Sequence, residues 1–490
     1  MIHKYLILSC FMLISLNCFP RKDVKATNLP LDENSKNVST DKGASTNIID
    51  ADFYIEPTVF GVEKNLQTDY QVNNTDNSDD SNRLQKAINE ISATTNGGKL
   101  IIPAGKYYFS GIKIKSNVHI EIDENAIIYP TDQNDGKNHI IFQLGQDAAL
   151  AENISVIGEG KGFTVEFRNT TDKKLAVFAL GNVKNFKLSN FTIQDNQTIF
   201  ASILVNLSEY NSQYSWSKNG IIEKARNFNA NLGYGLVQTY AADNILFRDV
   251  YSQGGVCLRF ETDNLKMKKV GVGGIRNVYG KDIRSEDGLA AVMFSPHFMT
   301  NGKVVINDVH SKNSCFAVRV EEGFVEIFNE PGETKKDLID RVENLIGFGS
   351  ISIIYKRGAD KNRWAARLKN EYSQIAFEKT GLKPGSFEES TVNNITAEYG
   401  ESAQFKANFL NYLTCSERQK ICQSYSNGNS YKGPSVAATY DSTIEGAKFG
   451  SYVVHLNNIS AIGFPNPDRI SIKRNTPTYV CPSFIWHICK

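Results

Sequence analysis

Three short segments share one frame: "NILFRDVYSQG" from Asn244, "NVYGKDIRSED" from Asn277 and "KVVINDVHSKN" from Lys303. Each carries an aspartate at the same point, followed by a β-branched residue. The aspartates are Asp249, Asp282 and Asp308, spaced by 33 and 26 residues. "NFKLSNFTIQD" from Asn185 and "NNISAIGF" from Asn457 are looser copies. A unit of roughly 20–35 residues made of two or three short strands cannot bury its own apolar side and must stack on its neighbours. Strands of this length with no helices between them favour a parallel β-helix over a leucine-rich repeat. The expected fold class is therefore an all-β solenoid.

A solenoid needs its open end covered, because the first coil would expose apolar side chains and unpaired strand edges. The sequence offers a helix for this. Asp79-Asp80-Ser81 reads as an N-cap, Leu84, Ala87, Ile88 and Ile91 fall on one helical face, and Gly97-Gly98 ends the segment. Short strands and turns then run to the C-terminus, interrupted at 325–385. There, "ETKKDLIDRVENLI" reads as a helix with Leu338, Val342, Leu345 and Ile346 on one face, "SISIIY" as a strand, and "KNRWAARLKNEYSQIAFEK" as a second, basic helix. This is a small α/β insertion in a loop of the solenoid, and such insertions collect on the binding face. A second, cysteine-containing insertion is expected at 401–435.

The chain begins with features of export. His3 and Lys4 precede an apolar run, Tyr5 to Leu16, that is too short to span a bilayer. Residues 1–18 read as a signal peptide. Cys18 could end a degenerate lipobox and carry a lipid anchor at the cell surface; the other reading is a cut by signal peptidase, after Ala26 for example. Residues 19–50 are polar and read as a flexible tether, and 51–490 as the parallel β-helix domain. Export makes the cysteines candidate disulfides. Cys415 and Cys422 could staple a loop, and Cys481 and Cys489 the C-terminus; Cys257 and Cys315 lie in apolar strand patterns and are expected to be buried free thiols. None has zinc-site spacing, so no transition metal is assigned. The net charge of +1 provides no global attraction for nucleic acid or anionic lipid. Neither a nucleic-acid partner nor a membrane span is expected.

The chemistry concentrates in "CLRFETDN". On a strand, alternate side chains face opposite ways, so Leu258, Phe260 and Thr262 point inward and Arg259, Glu261 and Asp263 outward. Aligning "AAVMFSPHF" with "GGVCLRFET" puts Ser295 and His297 beside Arg259 and Glu261. "AVRVEEG" adds Arg319 and Glu321 in the same columns, and "LVQTY" offers Gln238. An exposed E-x-D is ordinarily a solvated face; it is the company in adjacent rungs, ~4.8 Å apart, that marks this one. Two carboxylates flanking a bond suit glycoside hydrolysis. Their two-residue spacing, ~6.7 Å between Cα atoms, leans weakly towards the inverting geometry. Asp263 is expected to raise the pKa of Glu261 by like-charge repulsion. The arginines offer forked donors for carboxylate or sulfate oxygens.

"LRFETDN", with "GYGLVQTY" 23 residues upstream of the glutamate and "MFSPHF" 36 downstream, resembles the ι-carrageenases of glycoside hydrolase family 82. The resemblance covers nearly the whole chain. It implies a right-handed parallel β-helix that hydrolyses β-1,4 bonds of the doubly sulfated galactan ι-carrageenan as a secreted, endo-acting, inverting monomer. It implies Glu261 as general acid and Asp263 as general base, with Gln238 and His297 in support. Arg259, Arg319, Tyr234, Arg357 and Arg363 would contact substrate. The insertion, with Lys356, Arg357, Arg363 and Arg367, would close the groove towards a tunnel suited to processive action. Similar enzymes can carry structural calcium and an active-site halide, and no organic cofactor is implied. Two other classes compete. A polygalacturonase would show G-H-G and R-I-K, which this chain lacks in the required context, and a pectate-type lyase would leave an unsaturated product. A non-catalytic carbohydrate-binding β-helix would tolerate loss of Glu261.

Overall fold

The computed structural model describes residues 48–131, 135–357, 361–423, 430–443, 449–482 and 486–489. The expected signal peptide and nearly all of the expected tether lie outside these residues. Most of the described strands join one sheet wound into a coil, its ladders parallel but for one local hairpin. The chain is a right-handed parallel β-helix. The reason lies in one inward column. Leu100, Ile120, Val156, Leu188, Ile222 and Phe247 pair rung on rung, and the column continues through Gly280 to Ile306 and Val392. The large side chains of this column are fully buried. At Gly280 an added Cβ would lie 2.5 Å from Ile306, so the neighbour already fills that space.

The repeated aspartate has a conformational role. Asn190, Lys224, Asp249, Asp282, Asp308, Asn394 and Asn458 stack above one another, each with a φ between 50° and 62°. Asp and Asn tolerate this left-handed conformation better than most residues, so the frame read in the sequence is the corner of each coil. The capping helix, Ser81–Ser92, buries Leu84, Ala87, Ile88 and Ile91 over the first rungs. Its cap residue, Asp80, makes no capping bond; Ser81 N–H donates instead to Asp79 Oδ1 at 2.9 Å.

The insertion differs from its expected form in one element. Lys335–Ile346 is a helix with a Thr334–Asp337 capping box, and Ile351–Lys356 is a strand. The expected second helix is instead a strand, Trp364–Leu368, followed by a helix at Ser373–Thr380. The strand is central, pairing antiparallel with Glu326–Phe328 and Ile351–Lys356. Ala365, Ala366 and Leu368 are buried there. Pairing on both edges outweighs the helix preference of Ala-Ala-Arg-Leu.

The disulfide expectation was also wrong. Cys415 bonds Cys481 and Cys422 bonds Cys489, while Cys257 and Cys315 are buried free thiols. The C-terminal strand His487–Ile488 pairs parallel with Cys422–Gln423. This brings two distant half-cystines onto two others, and sequence proximity could not show that. Non-reducing peptide mapping should recover these two linkages and neither local pair. Phe260 stacks between Phe247 and Phe294, with centroids 6.3 and 5.4 Å away. Phe260→Ala should cost about 3–5 kcal/mol of stability, read by denaturant unfolding.

Candidate active site

Leu258, Phe260 and Thr262 are fully buried, and Arg259, Glu261 and Asp263 face outward as the alternation requires. Their inward neighbours fix the strand: Phe260 sits in the aromatic stack, and Thr262 Oγ1 donates to the Pro296 carbonyl at 2.7 Å. The rung register differs from the expected alignment by two residues. Arg259 pairs with Met293 and Glu261 with Ser295; Met293 pairs in turn with Arg319. The Arg259–Met293–Arg319 column is therefore as expected at its ends, whereas Ser295 lies beside Glu261 and not Arg259.

His297 still reaches the site, by another route. It lies past the strand end with φ 49°. Its carbonyl accepts hydrogen bonds from the N–H groups of Phe324, at 2.8 Å, and Gly385, at 2.9 Å. Both ends of the insertion thus pin it. The ring packs edge-on against Phe324 at 4.8 Å. Its Nε2 lies 3.3 Å from Glu261 Oε1 and its Nδ1 3.4 Å from Asp263 Oδ1. One imidazole therefore stands between the two carboxylates.

Each carboxylate also has its own arginine. Arg259 Nη2 lies 2.7 Å from Glu261 Oε2, and its Nη1 donates to the Gly233 carbonyl. Arg357 Nη1 donates to Asp263 Oδ2 at 2.9 Å, and Nη2 contacts Oδ1. Burial opposes charge on Glu261, but Arg259 and His297 outweigh it and hold the carboxyl well below the usual range. The expected upward shift is thus reversed. Asp263 is turned to Arg357, and the repulsion invoked for it is overridden by nearer cations.

Arg319 is buried, reaches Glu321 Oε1, and lies over the Phe409 ring at 5.0 Å. Gln238 pairs with Arg259 in the outward column, as expected, and donates its amide to the Glu261 backbone carbonyl at 2.7 Å, so it braces the strand. Tyr234 packs against Phe200 at 6.4 Å. Arg363 stacks on Phe328 at 5.1 Å and Lys356 on Trp364 at 5.4 Å. Neither of these two lines the cleft. Arg367 does, lying over Phe324 and bonding Glu326 at 3.1 Å.

The cleft, of about 1370 Å³, is lined by Glu261, His297, Arg319, Glu321, Phe324, Arg367 and Lys406 among others. Sequence reading missed three of its neighbours. Burial and the nearby Arg319 and Arg259 push the Lys406 ammonium down; it comes from the cysteine-containing insertion at 401–435, the start of a C-terminal module, and no local pattern marks it. Phe324 seats His297. Burial, helped by Glu261, pushes Tyr240 up to about 12; period-two alternation from Gln238 would have found it.

No family model matches the chain. A curated ι-carrageenase of Alteromonas macleodii is 47% identical over 438 residues, 87% of this chain and 89% of that protein. The chain belongs to the ι-carrageenase family. A crystal structure of a family GH82 ι-carrageenase from A. fortis, in the absence of chloride ions, is similar with a TM-score of 0.88 and 45% identity, covering 91% of this chain and 97% of that one. An ι-carrageenase complexed to ι-carrageenan fragments gives a TM-score of 0.85 and 44% identity, covering 91% and 98%.

Arg259→Gln should raise the Glu261 carboxyl pKa, because burial then acts with less opposition; carbon-13 NMR of labelled glutamate reads the shift. The sign for stability follows. A depressed pKa contributes stability above the unfolded value of about 4.3, lost as pH falls through the folded value. Wild-type unfolding should therefore lose more stability below about pH 4 than Arg259→Gln does.

Proposed function

We propose that this protein hydrolyses β-1,4 linkages of ι-carrageenan, in endo fashion and with inversion, using Glu261 as general acid and Asp263 as general base. The observation that carries the reading is a pair of carboxylates at the end of one strand, Glu261 its last residue and Asp263 two residues beyond, bridged by His297 and edged by a cleft rich in arginine and lysine. Two relatives are named ι-carrageenase, and a similar structure is named as a galactohydrolase of a sulfated galactan.

The chemistry is one displacement. Glu261 gives its proton to the glycosidic oxygen as the bond to the anomeric carbon breaks. Asp263 takes a proton from the water that attacks that carbon from the opposite face. A ring standing between the carboxylates favours the wider spacing, about 6.5–9.5 Å, that leaves room for such a water. Glu261 must be protonated to act, yet Arg259 and His297 keep it ionised in the free site. A sulfate ester that engages Arg259 offsets that cation's charge, so burial raises the carboxyl with less opposition. Arg319, Lys406 and Arg367 supply further sulfate contacts at the cleft. Gln238 and His297 hold the acid and base in place.

An anion also fits here. The buried Nε atoms of Arg259 and Arg319 have no hydrogen-bond acceptor, and with Lys406 they would hold a halide that balances their charge. Calcium stays what the resemblance implies; among the described residues no group of three His, Cys, Asp or Glu side chains is placed to hold a metal. The insertion beside the cleft suits processive action on a gelled chain. Residues 1–18 and 19–50 are read as export signal and tether of an extracellular enzyme; no described helix is long and apolar enough to cross a membrane.

Glu261→Gln should lower kcat on ι-carrageenan by about 10²–10⁴-fold with little change in thermal unfolding, read as reducing-end release. A variant keeping a tenth of the activity would remove Glu261 as the acid. Proton NMR of the fresh products should show inverted anomers and no unsaturated ring. KM should rise with added salt, because sulfates are held by charge.

A further inference from the structure

The two catalytic carboxylates are capped by arginines of different origin. Arg259 lies on the same strand as Glu261, and its second nitrogen is fixed on the Gly233 carbonyl. Arg357 comes from the insertion, at the end of the strand Ile351–Lys356, 94 residues from its partner. Its Nη1 donates to Asp263 Oδ2 at 2.9 Å and its Nη2 lies against Oδ1, an ion pair in which Nη2, Nε and Oδ1 make no hydrogen bond. The other charged groups around the pair are His297 against Asp263, Arg259 against Glu261, and Glu261, Arg363 and Arg367 within electrostatic reach of Arg357.

A carboxylate held in an ion pair with a guanidinium has its charge neutralised and one of its oxygens already accepting. In that state it is a poor base towards water. Something must take the guanidinium before Asp263 can act. A neutral sugar hydroxyl cannot compete with a carboxylate for it. A sulfate monoester can, because it is an anion whose oxygens match the guanidinium fork.

We infer that a sulfate ester of the bound chain draws Arg357 from Asp263, so that the base is released only by a sulfated substrate. Sulfation is then read in the chemical step as well as in binding. This rests on the assignment of Asp263 as base and of Glu261 as acid. It adds a specificity role for Arg357, as a positioning residue that acts through Asp263.

The test compares ι-carrageenan with the same polysaccharide after partial chemical desulfation. For the wild type, kcat and not only KM should fall, by about tenfold or more, as sulfate is removed. Equal kcat on both chains would overturn the inference, and this arm needs no variant. Arg357→Gln should raise KM on ι-carrageenan. It should also raise kcat on the desulfated chain above the wild-type value, because Asp263 is no longer capped. Arg357→Lys, which keeps the charge without the fork, should give intermediate values. If Arg357→Gln lowers kcat by the same factor on both chains, Arg357 is a fixed brace and the inference fails. Glu261→Gln separates the two levels. Full activity in that variant would sink the acid/base assignment itself, whereas an inactive Glu261→Gln with no desulfated gain in Arg357→Gln would sink only the release of the base.

Discussion

The structure depends on the stacking of like positions in consecutive coils. Parallel pairing puts each inward side chain on the one below it, so a column of Leu, Ile, Val and Phe becomes a continuous core. The same pairing fixes everything that points outward. Phe260 cannot shift without breaking its stack with Phe294, and so Arg259 and Glu261, its two outward neighbours, are held in place by apolar packing behind them. Burial on one face of a strand provides the rigidity that charge on the other face requires.

The outward face would be unstable without compensation. Glu261, Asp263 and Glu321 gather within a few rungs, and each meets an arginine: Arg259, Arg357 and Arg319. His297 adds a group that can share charge with two of them. Unpaired, half-buried carboxylates so close together would take up protons or disrupt the rung. The cations therefore keep the free site ionised.

Much of the fold was legible in the sequence because its period is local. The repeated corner aspartates, the amphipathic cap and the inward-outward alternation of "CLRFETDN" each rest on neighbours along the chain. The site was legible where it lay on strands. Gln238, Arg259, Glu261 and Arg319 could be stacked by counting, though Gln238 proved to grip a backbone carbonyl. The count failed at the next rung by two residues, since apolar residues at alternate positions match equally well after such a slip. His297 came to the site through its left-handed corner and the two insertion ends that pin it.

What the sequence alone determined is the solenoid, its cap, the outward carboxylate pair and, through its motifs, the family to which the chain belongs. What the tertiary structure decided is how the charges meet. Arg357 reaches Asp263 from 94 residues away, Lys406 enters the cleft from the C-terminal module, and four cysteines pair across separations of 66 and 67 residues. The reason is range. Periodicity reports contacts made within a strand or between adjacent rungs, whereas the protonation of Glu261 and the capping of Asp263 are set by side chains that only the folded chain brings within a few ångströms.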